Sequence, residues 1–157
     1  SGPLRERLSS LKNTHIVIIN GNKSEKFEKI IFNINKNLKI FYSSYQPKNI
    51  DTFKNKELVA IAGIGNPENF FQLIEKNNLT IKKKIIFPDH YKFSRKEIQT
   101  IVDDALKENY QVIMTEKDYY KIIDYKINGI DYLKVDLIIN NKENFISLIK
   151  ELSDENN

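Results

Sequence analysis

The residues best able to do chemistry in this sequence are Asp89 and His90, which are neighbours in the segment IIFPDHYKFS at residues 85–94. A histidine can transfer a proton near neutral pH or contact a phosphate, and an adjacent carboxylate can orient its ring. Each residue also has a structural interpretation, because an aspartate in a turn often accepts backbone N–H groups. The residue types leave both interpretations open.

Three further segments place unusual residues directly after a predicted strand: NG at 20–21, GIGNP at 63–67 and MTEKD at 114–118. The carboxyl ends of parallel strands lie along one edge of a sheet, where ligands of open α/β sheets bind. Helices predicted to begin after GIGNP and MTEKD would direct their positive N-terminal ends to that edge, which suits phosphate. The four segments are therefore predicted to line one anion-binding surface.

Each segment also has an interpretation that needs no ligand. GIGNP lacks the third glycine of a dinucleotide fingerprint, since Glu68 occupies that position, and can be a tight strand-to-helix turn. Thr115 and Asp118 are explained by helix capping, and Lys117 by a solvated first turn. The other histidine, His15, begins a strand at the opposite edge and is interpreted as structural.

The elements that must position these residues alternate between strand and helix. Apolar, β-branched runs predict a buried strand at 15–20 and further strands at 38–45, 57–63, 80–87, 110–114 and 130–139. Helical spacing and caps predict helices within 1–12, over 23–36, from Asn66–Pro67, from Ser94 with Glu97 in a capping box, from Thr115 to about Asp124, and over 141–152. This order predicts a three-layer α/β domain over residues 15–157, with a mostly parallel sheet and helices on both faces.

The composition limits the classes of protein that fit. The chain has 157 residues, of which 40% are hydrophobic and 29% charged, as in an ordinary globular domain. It has no cysteine, which excludes disulfides and thiolate metal sites. The net charge of +4 is compatible with an anionic ligand, nucleic acid or an anionic membrane and selects none of them. No complete P-loop, G-x-S-x-G or H-E-x-x-H motif is present.

Four stretches carry a resemblance to a known family: SGPLRERLSSLKNTHIVIING, AIAGIGNPENFF, FPDHYKFS and VIMTEKDYYK. In this order and spacing they resemble the C-terminal part of tetraacyldisaccharide 4'-kinase, the lipid A 4'-kinase of Gram-negative bacteria. The resemblance implies phosphorylation of the 4' position of the disaccharide lipid A precursor with ATP and Mg²⁺. It implies a cytoplasmic protein, peripheral to the inner membrane and without a nucleic-acid partner, whose Rossmann-like C-terminal domain borders the catalytic cleft.

The resemblance also implies roles for individual residues. His90 matches a family histidine that faces the cleft and supports catalysis, and Asp89 would orient it. The implied cofactor-binding residues are Arg5, Glu6, Gly63, Gly65, Asn66, Thr115 and Lys117. Of these, Arg5 and Glu6 lie in a domain-junction segment over residues 1–14, with Glu6 near the metal. Asn20, Glu116 and Asp118 also match. The sequence departs from the family at two positions. Arg7 stands where proline is more common in the family, and Tyr91 stands where a second histidine is more common.

The P-loop of the family lies upstream of the GPLRE segment, at which the given sequence begins. We therefore expect the chain to be the C-terminal domain of a lipid A 4'-kinase, with no activity unless the P-loop domain is supplied in cis or in trans. One alternative is a non-catalytic α/β binding module or remnant that works only with a separately encoded P-loop partner. Another is an unrelated small phosphoryl-transfer or nucleotide-binding domain.

Overall fold

The structure is a computed structural model that describes residues 6–154. Its strands are β1 (Ile16–Asn20), β2 (Lys39–Pro47), β3 (Glu57–Ala62), β4 (Thr80–Ile86), β5 (Gln111–Thr115), β6 (Ile130–Leu133) and β7 (Val135–Ile139). Its α-helices are α1 (Glu25–Ile34), α2 (Pro67–Lys76), α3 (Arg95–Lys107), α4 (Glu116–Tyr120) and α5 (Lys142–Asp154). Short 3₁₀ helices cover Leu8–Asn13, Ile50–Phe53 and Ile123–Tyr125.

The chain divides into two compact units, which are described separately. The terminal unit comprises the described residues up to Tyr45 and from Leu137 onward. The central unit is Gln46–Asp136. This division does not test the single domain expected over residues 15–157, which stays a prediction.

The central unit is a four-stranded parallel sheet in the order β4-β3-β5-β6, with a helix layer on each face. Alternate residues of β3 point to opposite faces. Leu58 and Ala60 belong to the core that includes Phe71 of α2, whereas Val59 lies in the core that includes Val102 of α3. The three-layer α/β architecture predicted from the sequence is confirmed in this unit.

The terminal unit has the same layered plan on a smaller scale. Its three-stranded sheet has the order β1-β2-β7, and β1 runs parallel to β2. The hydroxyl of Tyr42 in β2 donates to Glu28 of α1 at 2.8 Å. The neighbouring residue Phe41 packs edge-on against Phe145 of α5, with ring centroids 5.1 Å apart. Because successive strand residues face opposite ways, α1 and α5 cover opposite faces of this sheet.

The single strand predicted over residues 130–139 is wrong. It is broken at Lys134 into β6, which pairs with β5, and β7, which lies beside β2. The cause is a loop distant in sequence. Asn49 accepts a hydrogen bond from the Lys134 N–H at 2.8 Å, and the Lys134 carbonyl accepts one from the Lys48 N–H at 2.9 Å. Lys134 therefore bonds to a loop instead of continuing a ladder.

Three smaller expectations also need correction. The strand over 15–20 was expected to be buried, but β1 is only partly so, and Ile18 is 44% exposed. The helix beginning after Thr115 ends at Tyr120 instead of near Asp124. Ser94 caps α3 by accepting from the Glu97 N–H at 3.2 Å, as predicted, but the Glu97 carboxylate accepts from the Tyr91 hydroxyl instead of completing a capping box.

Candidate functional site

Three of the four segments singled out in the sequence meet at one edge of the central sheet. They follow β3, β4 and β5, whose carboxyl ends lie together because these strands are parallel. The Gly63 N–H donates to the Asp118 carboxylate at 2.7 Å. The Lys117 ammonium lies 3.6 Å from a carboxylate oxygen of Asp89. A Cβ atom built on Gly65 would lie 3.5 Å from the other Asp89 oxygen. The fourth segment, NG at 20–21, belongs to the terminal unit.

The outer part of this edge is an exposed group of three charged or titratable side chains around Asp89. The Nε2 atom of His90 lies 3.7 Å from Asp89 Oδ2, and the exposed side-chain fractions are 77% for His90 and 45% for Asp89. Lys117 is 51% exposed on the other side of the carboxylate. We call these three residues the surface cluster. Its side chains can contact a ligand from solvent without rearrangement of the sheet.

The backbone at His90 has an unusual conformation. Its φ angle is +61°, in the left-handed region that residues other than glycine and asparagine seldom adopt. The peptide N–H of His90 donates to Asp89 Oδ1 at 3.0 Å. The same carboxylate therefore fixes the turn and faces the imidazole, so the structural and functional interpretations of Asp89 are compatible.

Asp89 is a carboxylate at neutral pH. Its partial burial acts to raise the pKa, but the charges of His90 and Lys117 and the hydrogen bond from the His90 N–H outweigh this effect. The net result is a pKa below the usual 3.8. At neutral pH Asp89 can therefore accept hydrogen bonds but has no proton to donate.

The inner part of the edge is organised around Asp118, whose side chain is fully buried. The carboxylate of Asp118 accepts hydrogen bonds from the Gly63 N–H at 2.7 Å, the Thr115 hydroxyl at 2.8 Å and the Lys121 ammonium at 2.6 Å. Lys121 also lies 5.5 Å above the centre of the Phe93 ring. A buried charge is tolerated only when it is paired and hydrogen-bonded, and this one is. We call Asp118, Thr115, Lys121 and Gly63 the buried cluster.

The capping interpretation of Thr115 is confirmed, since its hydroxyl accepts from the Asp118 N–H at 3.2 Å and begins α4. The wider role of Asp118 and any role of Lys121 were missed. The available signal was the spacing of Thr115, Asp118 and Lys121, because residues three apart face one another on a helix. Nothing in the sequence indicated that Asp118 would also accept a hydrogen bond from a backbone N–H 55 positions away.

Positively charged groups do not outnumber carboxylates at this edge. The first turn of α4 carries Glu116 and Asp118, and the first turn of α2 carries Glu68. These carboxylates offset the helix dipoles that the sequence analysis invoked. In the surface cluster, the Asp89 carboxylate lies beside both the His90 imidazole and the Lys117 ammonium. An anionic ligand at this edge would therefore need further positive charge from elsewhere.

The remaining predicted site residues belong to neither cluster. Asn66 occupies the N-cap position of α2 before Pro67, but its side chain makes no capping hydrogen bond. Glu6 is exposed and belongs to the terminal unit, as does Asn20. Arg5 lies outside the described residues.

Within residues 6–154, no group of three or more His, Asp and Glu side chains could hold a metal ion. Over the same range, none of the helices has the length and apolar character that crossing a membrane requires.

Comparison with known proteins decides the family. The model of the family described as tetraacyldisaccharide-1-P 4'-kinase (LpxK) matches residues 1–154. This chain belongs to the LpxK family. A curated tetraacyldisaccharide 4'-kinase of Pelagibacter ubique is 36% identical over 159 residues, covering 99% of this chain and 51% of the relative. One from Francisella tularensis subsp. novicida is 33% identical over 149 residues, covering 89% of this chain and 44% of the relative.

The match covers only part of these LpxK proteins, since this chain spans about half of their length. A solved structure, described as LpxK from Aquifex aeolicus in complex with ATP, superposes with a TM-score of 0.59 and 20% sequence identity. The superposition covers 94% of this chain and 45% of that chain. At this identity the likeness shows the fold alone, and that fold agrees with the α/β architecture described above.

Proposed function

We propose that this chain supplies the C-terminal half of an ATP-dependent kinase that phosphorylates the 4' position of the tetraacyldisaccharide 1-phosphate precursor of lipid A. The observation that carries the proposal is the family match over residues 1–154. ATP as phosphate donor is supported by the solved relative described in complex with ATP. In this proposal the reaction takes place at the cytoplasmic face of the inner membrane of a Gram-negative bacterium.

In this proposal the surface cluster forms one wall of the active site. Phosphoryl transfer depends on positioning the reactants and on neutralising the charge of the transferring group. ATP supplies the phosphoryl group. The exposed imidazole of His90 is suited to hydrogen-bond the reacting oxygens or to hold a proton, and the Lys117 ammonium to contact a phosphate. Asp89 orients both groups. Gly65 and Asn66 would leave the backbone beside this wall open to the nucleotide.

The same proposal assigns the remaining charge to the other half of the protein. The printed sequence has no P-loop, and the described residues contain no group of side chains suited to Mg²⁺. The surface cluster alone has no surplus of positive charge. We therefore propose that the metal ligands and the phosphate-binding lysine come from the other half, in cis or in trans, with Arg5 and Glu6 near the junction. The chain alone would then be inactive.

An activity assay of two proteins tests this proposal. The first is the 157-residue chain. The second is a single polypeptide in which the part of the Pelagibacter ubique relative that this chain does not match is joined to it. With radiolabelled ATP and the disaccharide lipid in detergent micelles, we expect transfer to the 4' position only by the joined protein. Turnover by the chain alone would contradict the assignment of the P-loop and metal ligands to the other half. A folded, ATP-binding joined protein without turnover would favour the non-catalytic binding module.

A further inference from the structure

The loop that carries His90 is a tight turn whose two ends are held in different ways. The Tyr91 N–H donates to the Pro88 carbonyl at 3.1 Å, so Asp89 and His90 are the two central residues of the turn. At the first end the chain is still bonded to the sheet, since the Phe87 N–H donates to a β3 carbonyl at 2.9 Å. At the second end the chain leaves the sheet and leads to α3. This second end is fixed by side-chain contacts.

Three aromatic rings hold the two ends of the turn together. The Tyr91 ring centre lies 4.7 Å from that of Phe87 and 5.3 Å from that of Phe93. The Phe87 and Phe93 centres are 5.1 Å apart. These are the separations of favourable aromatic pairs. Phe93 is buried in the core between the sheet and α3, so the rings are attached to a fixed point. We call Phe87, Tyr91 and Phe93 the aromatic cluster.

Tyr91 is the member of the aromatic cluster that fixes the turn itself. Its hydroxyl donates to the Glu97 carboxylate at 3.1 Å, and Glu97 lies in the first turn of α3. The contact between Phe87 and Phe93 alone would leave the five residues between them able to change conformation. The contacts of Tyr91, in contrast, fix the residue directly after His90. The side chain of Tyr91 therefore determines where the turn ends.

The position of His90 depends on this turn, because its recorded contacts are with Asp89 of the same turn. The imidazole is 77% exposed and lies 3.7 Å from the Asp89 carboxylate, which also accepts from the His90 N–H at 3.0 Å. The φ angle of +61° at His90 is retained by such a residue only where the surrounding structure enforces it. Release of the turn would therefore let the backbone relax and move the imidazole away from Asp89.

We propose that Tyr91 is a positioning residue for His90. Its ring, in contact with Phe87 and Phe93, keeps the turn in the conformation in which the imidazole faces Asp89 at the carboxyl edge of the central sheet. Tyr91 acts only through His90 and not on a reactant. The catalytic part of this inference rests on the proposed function, whereas the effect on the turn concerns the chain itself, so the two can fail separately.

Nuclear magnetic resonance of the 157-residue chain tests the effect on the turn. A residue with positive φ has its amide and α protons close together, which gives a strong nuclear Overhauser effect (NOE) within the residue. We expect this strong NOE at His90 in the unchanged chain and in Tyr91→Phe, which keeps the ring contacts. In Tyr91→Leu, which keeps an apolar side chain without the ring, the His90 NOE should fall to the intensity of residues with negative φ. An unchanged NOE in Tyr91→Leu would overturn the proposal.

Tyr110→Leu is the matched control. Tyr110 is a partly buried tyrosine packed against the same core, but it precedes β5 at the opposite edge of the sheet. We expect this variant to lose stability in urea with no change in the His90 NOE. Loss of the NOE in both variants would contradict a specific role of Tyr91. If Tyr91→Leu does not fold, Phe87→Leu breaks the same ring contact from its other side and should weaken the NOE in the same way.

Turnover of the joined two-half protein tests the catalytic part. Tyr91→Leu should lower kcat by about tenfold or more at unchanged KM for ATP, because a displacement of about 1 Å can cost about 100-fold in rate. Tyr91→Phe should retain most of the turnover, and Tyr110→Leu all of it. In the His90→Asn background, Tyr91→Leu should cause no further loss, because residues that act through one group are not additive.

Two outcomes of the kinetic test separate this inference from the proposed function. An equal loss of kcat from Tyr91→Leu with His90 present and with His90→Asn would show that Tyr91 does not act through His90, and would overturn the positioning role. A joined protein without turnover would contradict the proposed function. Loss of the His90 NOE in Tyr91→Leu would still show that Tyr91 positions His90.

Discussion

The buried cluster and the surface cluster each centre on an aspartate at the same sheet edge, yet the two carboxylates differ in almost every respect. Asp118 is fully buried and accepts three hydrogen bonds of 2.6–2.8 Å. Asp89 is 45% exposed and faces the Lys117 ammonium across 3.6 Å and the His90 imidazole across 3.7 Å. Short buried contacts fix loops in place, whereas long exposed ones leave side chains able to change partners. The first cluster is thus suited to support and the second to contact with a ligand.

The largest effect is expected from Asp118→Ala. The substitution leaves the Lys121 ammonium partly buried and the Gly63 N–H without its acceptor. Removing one partner of a buried ion pair costs about 3–5 kcal/mol. We expect a loss of this size in the free energy of unfolding, measured by urea denaturation followed by circular dichroism.

Asp104→Ala is the matched control for that substitution. Asp104 pairs with Lys107 at the same three-residue spacing and nearly the same distance, 2.7 Å, but both side chains are mostly exposed. Exposed pairs contribute little to stability. The control should unfold at an unchanged urea concentration. If both variants lose equal stability, burial is not what distinguishes the Asp118 pair.

The sequence predicted the helices and strands better than it predicted the contacts within these two clusters. The caps at Ser94 and Thr115 could be predicted because the bonded groups are three residues apart and recur at helix starts. The break at Lys134 and the bond from Gly63 to Asp118 could not, since their partners lie 85 and 55 positions away. Local periodicity carries no information on such contacts. The three segments could be grouped at one edge because parallel strands align their carboxyl ends, but their burial could not be inferred.

An effect of comparable size, on the activation free energy of catalysis and not on stability, is expected from substitution of His90. In the joined two-half protein, His90→Asn removes the titratable ring while asparagine tolerates the left-handed backbone found there. Loss of a positioned general acid or base typically costs about 100-fold or more in turnover. We expect a decrease of that order in kcat, measured with saturating ATP, with an unchanged urea midpoint.

His90→Gly provides the control for the turn at this position. Glycine also adopts positive φ without strain and lacks a side chain. It should lose as much activity as His90→Asn while retaining stability. Full activity in both variants would return His90 to a structural role, as would a stability loss that parallels the activity loss.

A smaller effect on stability is expected at Gly63. A Cβ atom there would lie 3.1 Å from the Phe93 ring and 3.3 Å from Asp118. Phe93 is buried and packs against Phe87, so it cannot move freely. Overpacking of this kind costs about 1–3 kcal/mol, and we expect Gly63→Ala to lower the free energy of unfolding accordingly.

Gly65→Ala is the corresponding change beside the surface cluster. The nearest neighbour of the added Cβ atom would be Asp89 Oδ2 at 3.5 Å, an ordinary contact, so the urea midpoint should not change. The two alanine variants thus compare tight and open packing at positions two residues apart. Equal destabilisation would show that the GIG segment is fixed along its whole length and that the two clusters are not distinct.

The smallest effect is expected in the pH dependence of the surface cluster. Because the pKa of Asp89 in the folded chain lies below its usual 3.8, folding favours the ionised form. The stabilisation is therefore fully present above pH 3.8 and is lost as the pH falls through the lower folded value. Carboxyl-carbon NMR of the folded chain should give an Asp89 midpoint below 3.8. Lys117→Met removes one of the two charges that lower this pKa, so the midpoint should move upward. An unmoved midpoint would mean that Lys117 does not hold the carboxylate in solution, and that the surface cluster consists of Asp89 and His90 alone.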